Sequence, residues 1–111
     1  MVKSVLITGG SGYVGTYLVR YLIENSEMNI RIFDHKIGEK FEKYVESNSE
    51  RIDFLKGDIR NLNQVRDASF GVDFVVHLAA ITSVPESITN PKLTFEVNVE
   101  GTQNITPLWQ A

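Results

Sequence analysis

The stretch TGGSGYVG, Thr8–Gly15, decides the fold of this chain. It follows a short run rich in β-branched residues and precedes apolar residues at helical spacing, so we expect it to join a strand to a helix. Gly10, Gly12 and Gly15 have the spacing G-x-G-x-x-G. Counted from Gly9 instead, the spacing is G-x-x-G-x-x-G. In a strand–turn–helix context, this pattern is typical of a turn that binds a dinucleotide.

The glycines in this loop have separate physical roles in such a turn. One permits the tight turn off the strand, Gly12 lets the backbone approach a pyrophosphate without a Cβ, and Gly15 allows close helix–sheet packing. We expect the amides of Gly12, Tyr13 and Val14 to face the phosphates at the positive end of the helix dipole. The alternative is a glycine-rich turn without a ligand.

An acidic residue, Asp34, follows Gly15 by 19 residues, at the end of the second predicted strand. Its carboxylate can accept hydrogen bonds from both hydroxyls of an adenosine ribose and would repel a 2′-phosphate, which favours NAD over NADP. The glycine loop contains no Lys or Arg, which also favours NAD. His35 and Lys36 could accept a phosphate instead, although we favour a solvated surface role for both.

Strand-like and helix-like segments alternate along the chain. We predict strands at residues 3–8, 29–33, 52–56 and 74–78, helices at about 12–24, 62–68 and 91–105, and a surface helix or an irregular excursion at 38–48. This alternation predicts an α/β Rossmann-type doubly wound fold, with a parallel sheet of strand order 3-2-1-4. The ligand then belongs at the carboxyl ends of strands 1 and 4, where the winding reverses.

Two burial patterns accompany these elements. The first helix should be amphipathic, because Val14, Leu18, Tyr21 and Leu22 recur at helical spacing and form its apolar face. The strand at residues 74–78 is almost continuously apolar, which predicts burial on both faces of a parallel sheet.

Composition limits the functions that are open to the chain. Its 111 residues, of which 42% are hydrophobic and 23% charged, predict one folded domain over residues 1–111. The net charge of −3 comes without a basic stripe, so we expect neither nucleic acid nor a membrane as partner. There is no cysteine and only two isolated histidines, so we expect no metal site. No signal peptide is evident, and we expect a cytoplasmic protein.

Five ordered motifs between residues 5 and about 105 closely resemble the extended short-chain dehydrogenase/reductase family. Within it, the resemblance is to the NAD-dependent nucleotide-sugar epimerases and dehydratases. The glycine loop and Asp34 are two of these motifs, and the others are GDIR at 57–60, HLAA at 77–80 and NVEGT at 98–102. The spacer SVPES at 83–87 is similar to that of sugar-nucleotide 4-epimerases.

The resemblance implies a role for several residues at the cofactor. It implies that Asp58 binds the adenine amino group, that Ile59 packs on the adenine ring, and that Thr82 contacts the nicotinamide ribose. The expected cofactor-binding residues are Gly9, Gly12, Tyr13, Val14, Gly15, Asp34, Asp58, Ile59, Leu78, Ala79, Ala80, Thr82 and Asn98.

Four of the motif residues have structural alternatives. Asp58 could cap the helix that begins at residue 61 or 62, and Thr82 could bond its own backbone. His77 is better explained as a hydrogen-bonded core histidine than as an acid or base. Asn98 is expected to link the last helix to strand 4 and support the site, rather than to touch the cofactor.

The family's reaction, as the resemblance implies it, shuttles a hydride through NAD and needs an acid–base pair. In that pair, a Lys four residues on lowers the pKa of a Tyr. The tyrosines at positions 13, 17, 21 and 44 all lack such a Lys, and Pro107 interrupts the last helix. We therefore expect an NAD(H)-binding domain of a nucleotide-sugar epimerase or dehydratase, incomplete and inactive by itself.

Two alternatives stay open from the sequence. One is a stand-alone nucleotide-binding or protein-interaction module that has lost catalysis, and the other is an enzyme completed by another chain. A nucleotide sugar is expected as a partner only when the missing part is supplied. Because strand 4 would leave a free apolar edge, we also expect a homo-oligomer.

Overall fold

A computed structural model describes residues 2–79, 92–93, 96–100 and 102. The elements are β1 (Ser4–Thr8), α1 (Tyr13–Asn25), β2 (Asn29–Asp34), α2 (Glu39–Ser47), β3 (Ile52–Lys56), α3 (Leu62–Ser69), β4 (Phe74–His77) and a π-helical segment, Glu96–Glu100. Each predicted strand is present, with bounds that differ by at most one residue at either end. The predicted helix at residues 91–105 lies partly outside the described residues.

The four strands form a parallel sheet in the order β3-β2-β1-β4, which confirms the predicted Rossmann-type α/β fold. Thr8 lies opposite Phe33 of β2 on one side and opposite His77 of β4 on the other. The winding reverses between β1 and β4, and the crevice that this reversal creates opens at the carboxyl ends of the two strands.

Two hydrophobic clusters cover the two faces of the sheet. Along β1, Val5 and Ile7 point into one cluster and Leu6 points into the other, because successive side chains of a strand alternate between faces. The cluster under α1 and α2 contains Val5, Ile7, Val19, Ile30, Ile32, Phe41, Val45 and Ile52. The cluster under α3 contains Leu6, Phe33, Ile59, Val65 and Ala68.

The predicted apolar face of α1 was wrong for two of its four residues. Leu18 and Leu22 are partly buried against the core, but Val14 is 61% exposed and Tyr21 is 56% exposed. The buried residues of α1 are instead Gly15 and Val19.

The contact at Gly15 explains the rotation of α1. A Cβ at this position would lie only 2.4 Å from the carbonyl oxygen of Gly9, so the helix packs directly on the preceding turn. Val19, four residues later, lies on the same face of the helix and is fully buried. The hydrophobic pattern of the sequence predicted burial of the face with Val14 and Tyr21. The backbone contact at Gly15 turns the helix so that Gly15 and Val19 are buried instead.

The segment at residues 38–48, for which two interpretations were open, forms the regular helix α2. Phe41 and Val45 are four residues apart and both are buried. Tyr44 stacks on Phe41 with ring centroids 6.1 Å apart, and the guanidinium of Arg20 lies 4.6 Å from the centroid of Tyr44. These contacts attach α2 to α1 above the sheet.

The predicted burial of β4 on both faces was wrong for the described residues. Phe74 is 50% exposed, and Val75, Val76 and His77 are partly exposed. In the described part of the chain, β4 pairs with β1 alone, so it is an edge strand there.

Candidate functional site

Gly9 forms the turn where β1 leaves the sheet. Its φ angle is +71°, in the left-handed region that glycine adopts readily. A Cβ at Gly9 would also lie 2.8 Å from the backbone nitrogen of Ala79. The turn is thus pressed against the chain that follows β4, and only glycine satisfies both its angle and its space.

Gly10 and Gly15 are explained by packing within the protein, whereas Gly12 is not. A Cβ on Gly10 would lie 2.7 Å from Cγ2 of Ile32, and one on Gly15 would clash with the turn. At Gly12, the nearest atom to an added Cβ is the carbonyl oxygen of Gly9, at an ordinary 3.4 Å. Its φ of −77° is also accessible to any residue. The surface at Gly12 is therefore open, and the close approach of a ligand there stays a prediction.

The set of free amides at the start of α1 differs from the prediction by one residue. The N–H of Gly12 donates to the carbonyl oxygen of Gly9 over 3.1 Å, so its predicted role as a free donor was wrong. Within the described chain, the amides of Tyr13, Val14 and Gly15 have no acceptor, and α1 has no side-chain N-cap. Three donors at the positive end of a helix are therefore available to an anion.

Asp34 lies at the end of β2 with its carboxylate held from two sides. Oδ2 accepts from the backbone N–H of Ser11 at 3.2 Å and from the Ser11 hydroxyl at 2.5 Å. Oδ1 accepts from the backbone N–H of His35 at 2.7 Å and lies 2.9 Å from its Nδ1. A ribose would therefore compete with the side-chain donors of Ser11 and His35, while the two backbone bonds keep the carboxylate in place.

Asp58 forms a two-point ion pair with Arg60. The Arg60 Nε lies 2.9 Å from Oδ1 of Asp58, and Nη2 lies 2.5 Å from Oδ2. These hydrogen bonds hold the pKa of the Asp58 carboxyl below its usual range. The remaining Nη1 of Arg60 donates to Glu96 Oε2 over 2.7 Å, which connects Asp58 to the π-helical segment.

The alternative role of Asp58 as the cap of α3 was wrong. The N-cap is Asn61, whose side chain accepts from the backbone N–H of Gln64 at 3.1 Å. The Asp58 carboxylate instead accepts from the backbone N–H of Arg60 at 2.9 Å. Ile59 lies between Asp58 and Arg60 in the sequence. It is only 6% exposed and packs with the cluster under α3, so most of its side chain lies in the core.

His77 is hydrogen-bonded at both ring nitrogens, as predicted, but it is partly exposed and not a core residue. Nδ1 lies 2.6 Å from Oγ1 of Thr8, and Nε2 lies 2.9 Å from Oγ1 of Thr102. Burial lowers the pKa of its imidazole. The neutral ring therefore has a structural role at the end of β4.

The fold brings most of the predicted site residues to one edge of the sheet. Gly9 donates its N–H to the carbonyl oxygen of Phe33 over 2.9 Å, and Gly57 donates to that of Asp34 over 2.9 Å. Leu78 donates to the carbonyl oxygen of Thr8 over 2.9 Å. The glycine loop, Asp34, Asp58 and residues 78–79 therefore share this edge. Ala80 and Thr82 lie outside the described residues.

Sequence reasoning missed several residues that organise this edge. Ser11 holds Asp34, Thr8 holds His77, and the pair of Arg60 and Glu96 holds Asp58. Thr8 offered the clearest signal, because a polar residue at the end of an apolar strand and just before a glycine turn needs a partner. In the described ranges, no group of three or more His, Cys, Asp or Glu residues is placed to hold a metal ion.

Comparisons with known proteins identify the relatives of this chain. Residues 6–108 match the model of the 3-beta hydroxysteroid dehydrogenase/isomerase family. An uncharacterized membrane protein of Methanocaldococcus jannaschii is 38% identical over 103 residues, which cover 93% of this chain and 31% of that protein. The UDP-glucose 4-epimerase of Rickettsia bellii is 34% identical over 107 residues, with the same coverage of 93% and 31%.

A solved structure shows the same fold at similar identity. The dTDP-glucose 4,6-dehydratase of Streptomyces venezuelae, solved with NAD bound, superposes with a TM-score of 0.82 at 30% identity. The match covers 94% of this chain and 34% of the dehydratase. The chain thus spans about a third of the length of these relatives. None of its described helices has the length and apolar character that crossing a membrane requires.

Proposed function

The chain belongs to the 3-beta hydroxysteroid dehydrogenase/isomerase family, and we propose that it is the NAD(H)-binding domain of a nucleotide-sugar epimerase or dehydratase. In this proposal residues 1–111 form one cofactor-binding unit. The UDP-glucose 4-epimerase and the NAD-bound dTDP-glucose 4,6-dehydratase among its relatives support this assignment. The cytoplasmic location indicated by the sequence stays a prediction.

The observation that carries the proposal is the open surface at Gly12. The other glycines of the loop relieve contacts within the protein, but the missing Cβ of Gly12 relieves none closer than 3.4 Å. Beside it lie the free amides of Tyr13, Val14 and Gly15. A smooth backbone surface next to unpaired N–H groups fits a pyrophosphate, which needs both close approach and several donors.

The remaining parts of NAD would lie along the same edge of the sheet. Asp34 would accept the ribose hydroxyls of the adenosine, and Asp58 would accept the adenine amino group, with Ile59 next to the ring. The backbone of Leu78 and Ala79, pressed against Gly9, would run beside the cofactor. Contacts from Ala80, Thr82 and Asn98 stay predictions from the family resemblance.

When bound, NAD would supply hydride acceptance and return, and these residues would bind and orient it. The Tyr-x-x-x-Lys pair, which handles the proton in the family, does not occur in these 111 residues. We therefore expect the chain alone to bind NAD without turning over a nucleotide sugar. Turnover of UDP- or dTDP-hexoses by the pure chain would show that other residues serve as the acid–base pair.

Calorimetry of NAD binding to the 111-residue chain tests the proposal. We expect Gly12→Ala to fold normally but to bind NAD at least about tenfold more weakly, since its Cβ would occupy the pyrophosphate surface. Gly38→Ala is a matched control. Gly38 is also a helix N-cap with extended angles, and nothing lies within 4 Å of its added Cβ. Absence of NAD binding to the unaltered chain, or unchanged binding by Gly12→Ala, would contradict the proposal.

A further inference from the structure

Thr8, His77 and Thr102 form a chain of hydrogen bonds that joins three parts of the fold. Thr8 ends β1 and is fully buried, His77 ends β4, and Thr102 follows the π-helical segment. The Thr8 Oγ1 lies 2.6 Å from Nδ1 of His77, and the Thr102 Oγ1 lies 2.9 Å from Nε2. We call these three side chains the Thr8–His77–Thr102 relay.

The proton positions in the relay follow from its far end. The Thr102 hydroxyl donates its single proton to the carbonyl oxygen of Asn98 over 2.8 Å, so toward His77 its oxygen can only accept. His77 must then carry a proton on Nε2. In a neutral imidazole this leaves Nδ1 as an acceptor, and the Thr8 hydroxyl donates to it.

The near end of the relay holds the chain that follows β4. The Thr8 Oγ1 accepts from the backbone N–H of Leu78 at 3.0 Å and from that of Ala79 at 3.2 Å. One donated and two accepted bonds fill the capacity of a hydroxyl. A proton on Nδ1 of His77 would therefore meet an oxygen with no free lone pair. All the hydrogen bonds of the relay can form only when the imidazole is neutral.

We propose that His77 is a positioning residue for the cofactor-binding edge. As a neutral, Nε2-protonated imidazole, it orients the Thr8 hydroxyl so that this hydroxyl fixes the amides of Leu78 and Ala79 against Gly9. The inference rests on the proposed function, because it assigns the fixed backbone a role in holding NAD. Its consequence is that NAD affinity falls when His77 takes up a second proton.

Among the residues that the structure describes, the groups that contact the His77 ring are uncharged. The described groups facing the ring are the Thr8 hydroxyl from β1, the chain at Leu78 and Ala79, and the Thr102 hydroxyl beside Asn98. The nearest part of the glycine loop, Gly9, is also uncharged. Burial alone lowers the pKa of His77, so the affected pH range lies below the ordinary histidine value of about 6.5.

Nitrogen NMR of the free chain tests the relay without any cofactor. We expect His77 to show a protonated Nε2 and an unprotonated Nδ1 at about pH 7.5. The protection factors of the Leu78 and Ala79 amides, each relative to the unfolded chain at the same pH, should be lower at about pH 5.5 than at about pH 7.5. A protonated Nδ1 at neutral pH, or exchange at these amides that ignores the state of His77, would overturn the inference. Because NAD is absent, this result stands whether or not the proposed function is correct.

Calorimetry across pH tests the link to NAD. We expect affinity to be constant between about pH 8 and 7 and to fall at least about threefold by about pH 5.5. His77→Asn, whose amide oxygen can replace Nδ1 as acceptor, should abolish this fall. His35→Asn separates the contribution of the other histidine in the sequence, whose Nδ1 lies 2.9 Å from Oδ1 of Asp34. We expect the fall in affinity to remain in this variant. A fall that follows His35 instead would overturn the inference.

A second pair of variants covers the case in which His77→Asn does not fold. Thr8→Ser keeps the hydroxyl and should bind NAD within about threefold of the unaltered chain. Thr8→Val keeps the shape but removes the acceptor of the Ala79 amide and leaves the Leu78 amide with the carbonyl oxygen of residue 8 alone. It should bind NAD at least about tenfold more weakly. Equal binding by the two variants would contradict the inference, whereas an unaltered chain that binds no NAD would contradict the proposed function.

Discussion

The backbone N–H of Ser11 donates a hydrogen bond to Oδ2 of Asp34 over 3.2 Å, which ties the glycine loop to the end of β2. The Ser11 hydroxyl lies 2.5 Å from the same carboxylate oxygen and 2.5 Å from the carbonyl oxygen of Lys36. With one proton, it can donate to only one of them at a time. When a ribose takes the carboxylate, the hydroxyl can turn to Lys36 without losing a partner.

Asp34 should therefore set the choice of cofactor. We expect the chain to bind NAD at least about tenfold more tightly than NADP, about 1.4 kcal/mol, because a carboxylate repels a 2′-phosphate. Asp34→Ala should weaken NAD binding and narrow this preference, whereas Glu46→Ala, an exposed acid on α2, should do neither. Calorimetry with NAD and with NADP measures the two affinities. Equal or tighter binding of NADP would contradict the prediction and would indicate that Lys36 binds the 2′-phosphate.

Gly15 should be required for folding rather than for the ligand alone. A Cβ there would lie 2.4 Å from backbone oxygen, which cannot move without displacing the turn. We expect Gly15→Ala to lower the free energy of unfolding by about 2 kcal/mol or more, as overpacked sites do. Gly38→Ala, with open space around it, should change it by less than about 1 kcal/mol. Urea unfolding of the two variants gives the comparison, and equal effects would refute the close helix–turn contact.

His77 should make the free energy of unfolding depend on pH. Its lowered folded pKa means that, below about 6.5, the unfolded chain binds a proton that the folded chain does not. The free energy of unfolding should therefore be highest above that pH and fall as pH decreases toward the folded pKa. Urea unfolding between about pH 8 and 5 measures this slope. His77→Asn should flatten it, and an unchanged slope in that variant would mean that other groups cause it.

The apolar sequence of β4, at the edge of the described sheet, should promote self-association. In the described residues β4 pairs only with β1, and Phe74 at its start is 50% exposed. Sedimentation at micromolar concentration is expected to report a dimer or larger species, since an apolar edge without charge or proline pairs readily. Phe74→Lys should shift the association equilibrium toward the monomer. Phe70→Lys, at an 82% exposed residue outside the strand, is the control. A monomeric unaltered chain would contradict the prediction.

The strand order and the placement of Asp34 at the end of β2 could be predicted because their signals are local. The turn Thr8–Gly15 has its glycines within eight consecutive residues, and the alternation of strands and helices predicts right-handed crossovers and a parallel sheet. Asp34 was placed correctly at the end of β2 by the same reasoning. Each of these inferences needed only neighbouring residues and the handedness of the crossovers.

The sequence by itself determined the Rossmann fold, the glycine turn and the acidic residue beside it. Only the tertiary structure decided which face of α1 is buried and which amides stay free. The first depends on the contact between Gly15 and Gly9, and the second on the hydrogen bond from the Gly12 N–H to the Gly9 carbonyl oxygen. It also decided that Thr8 meets His77, 69 residues away along the chain. Hydrogen bonds between distant side chains depend on register and rotation to within an ångström, and periodicity along a sequence does not encode these.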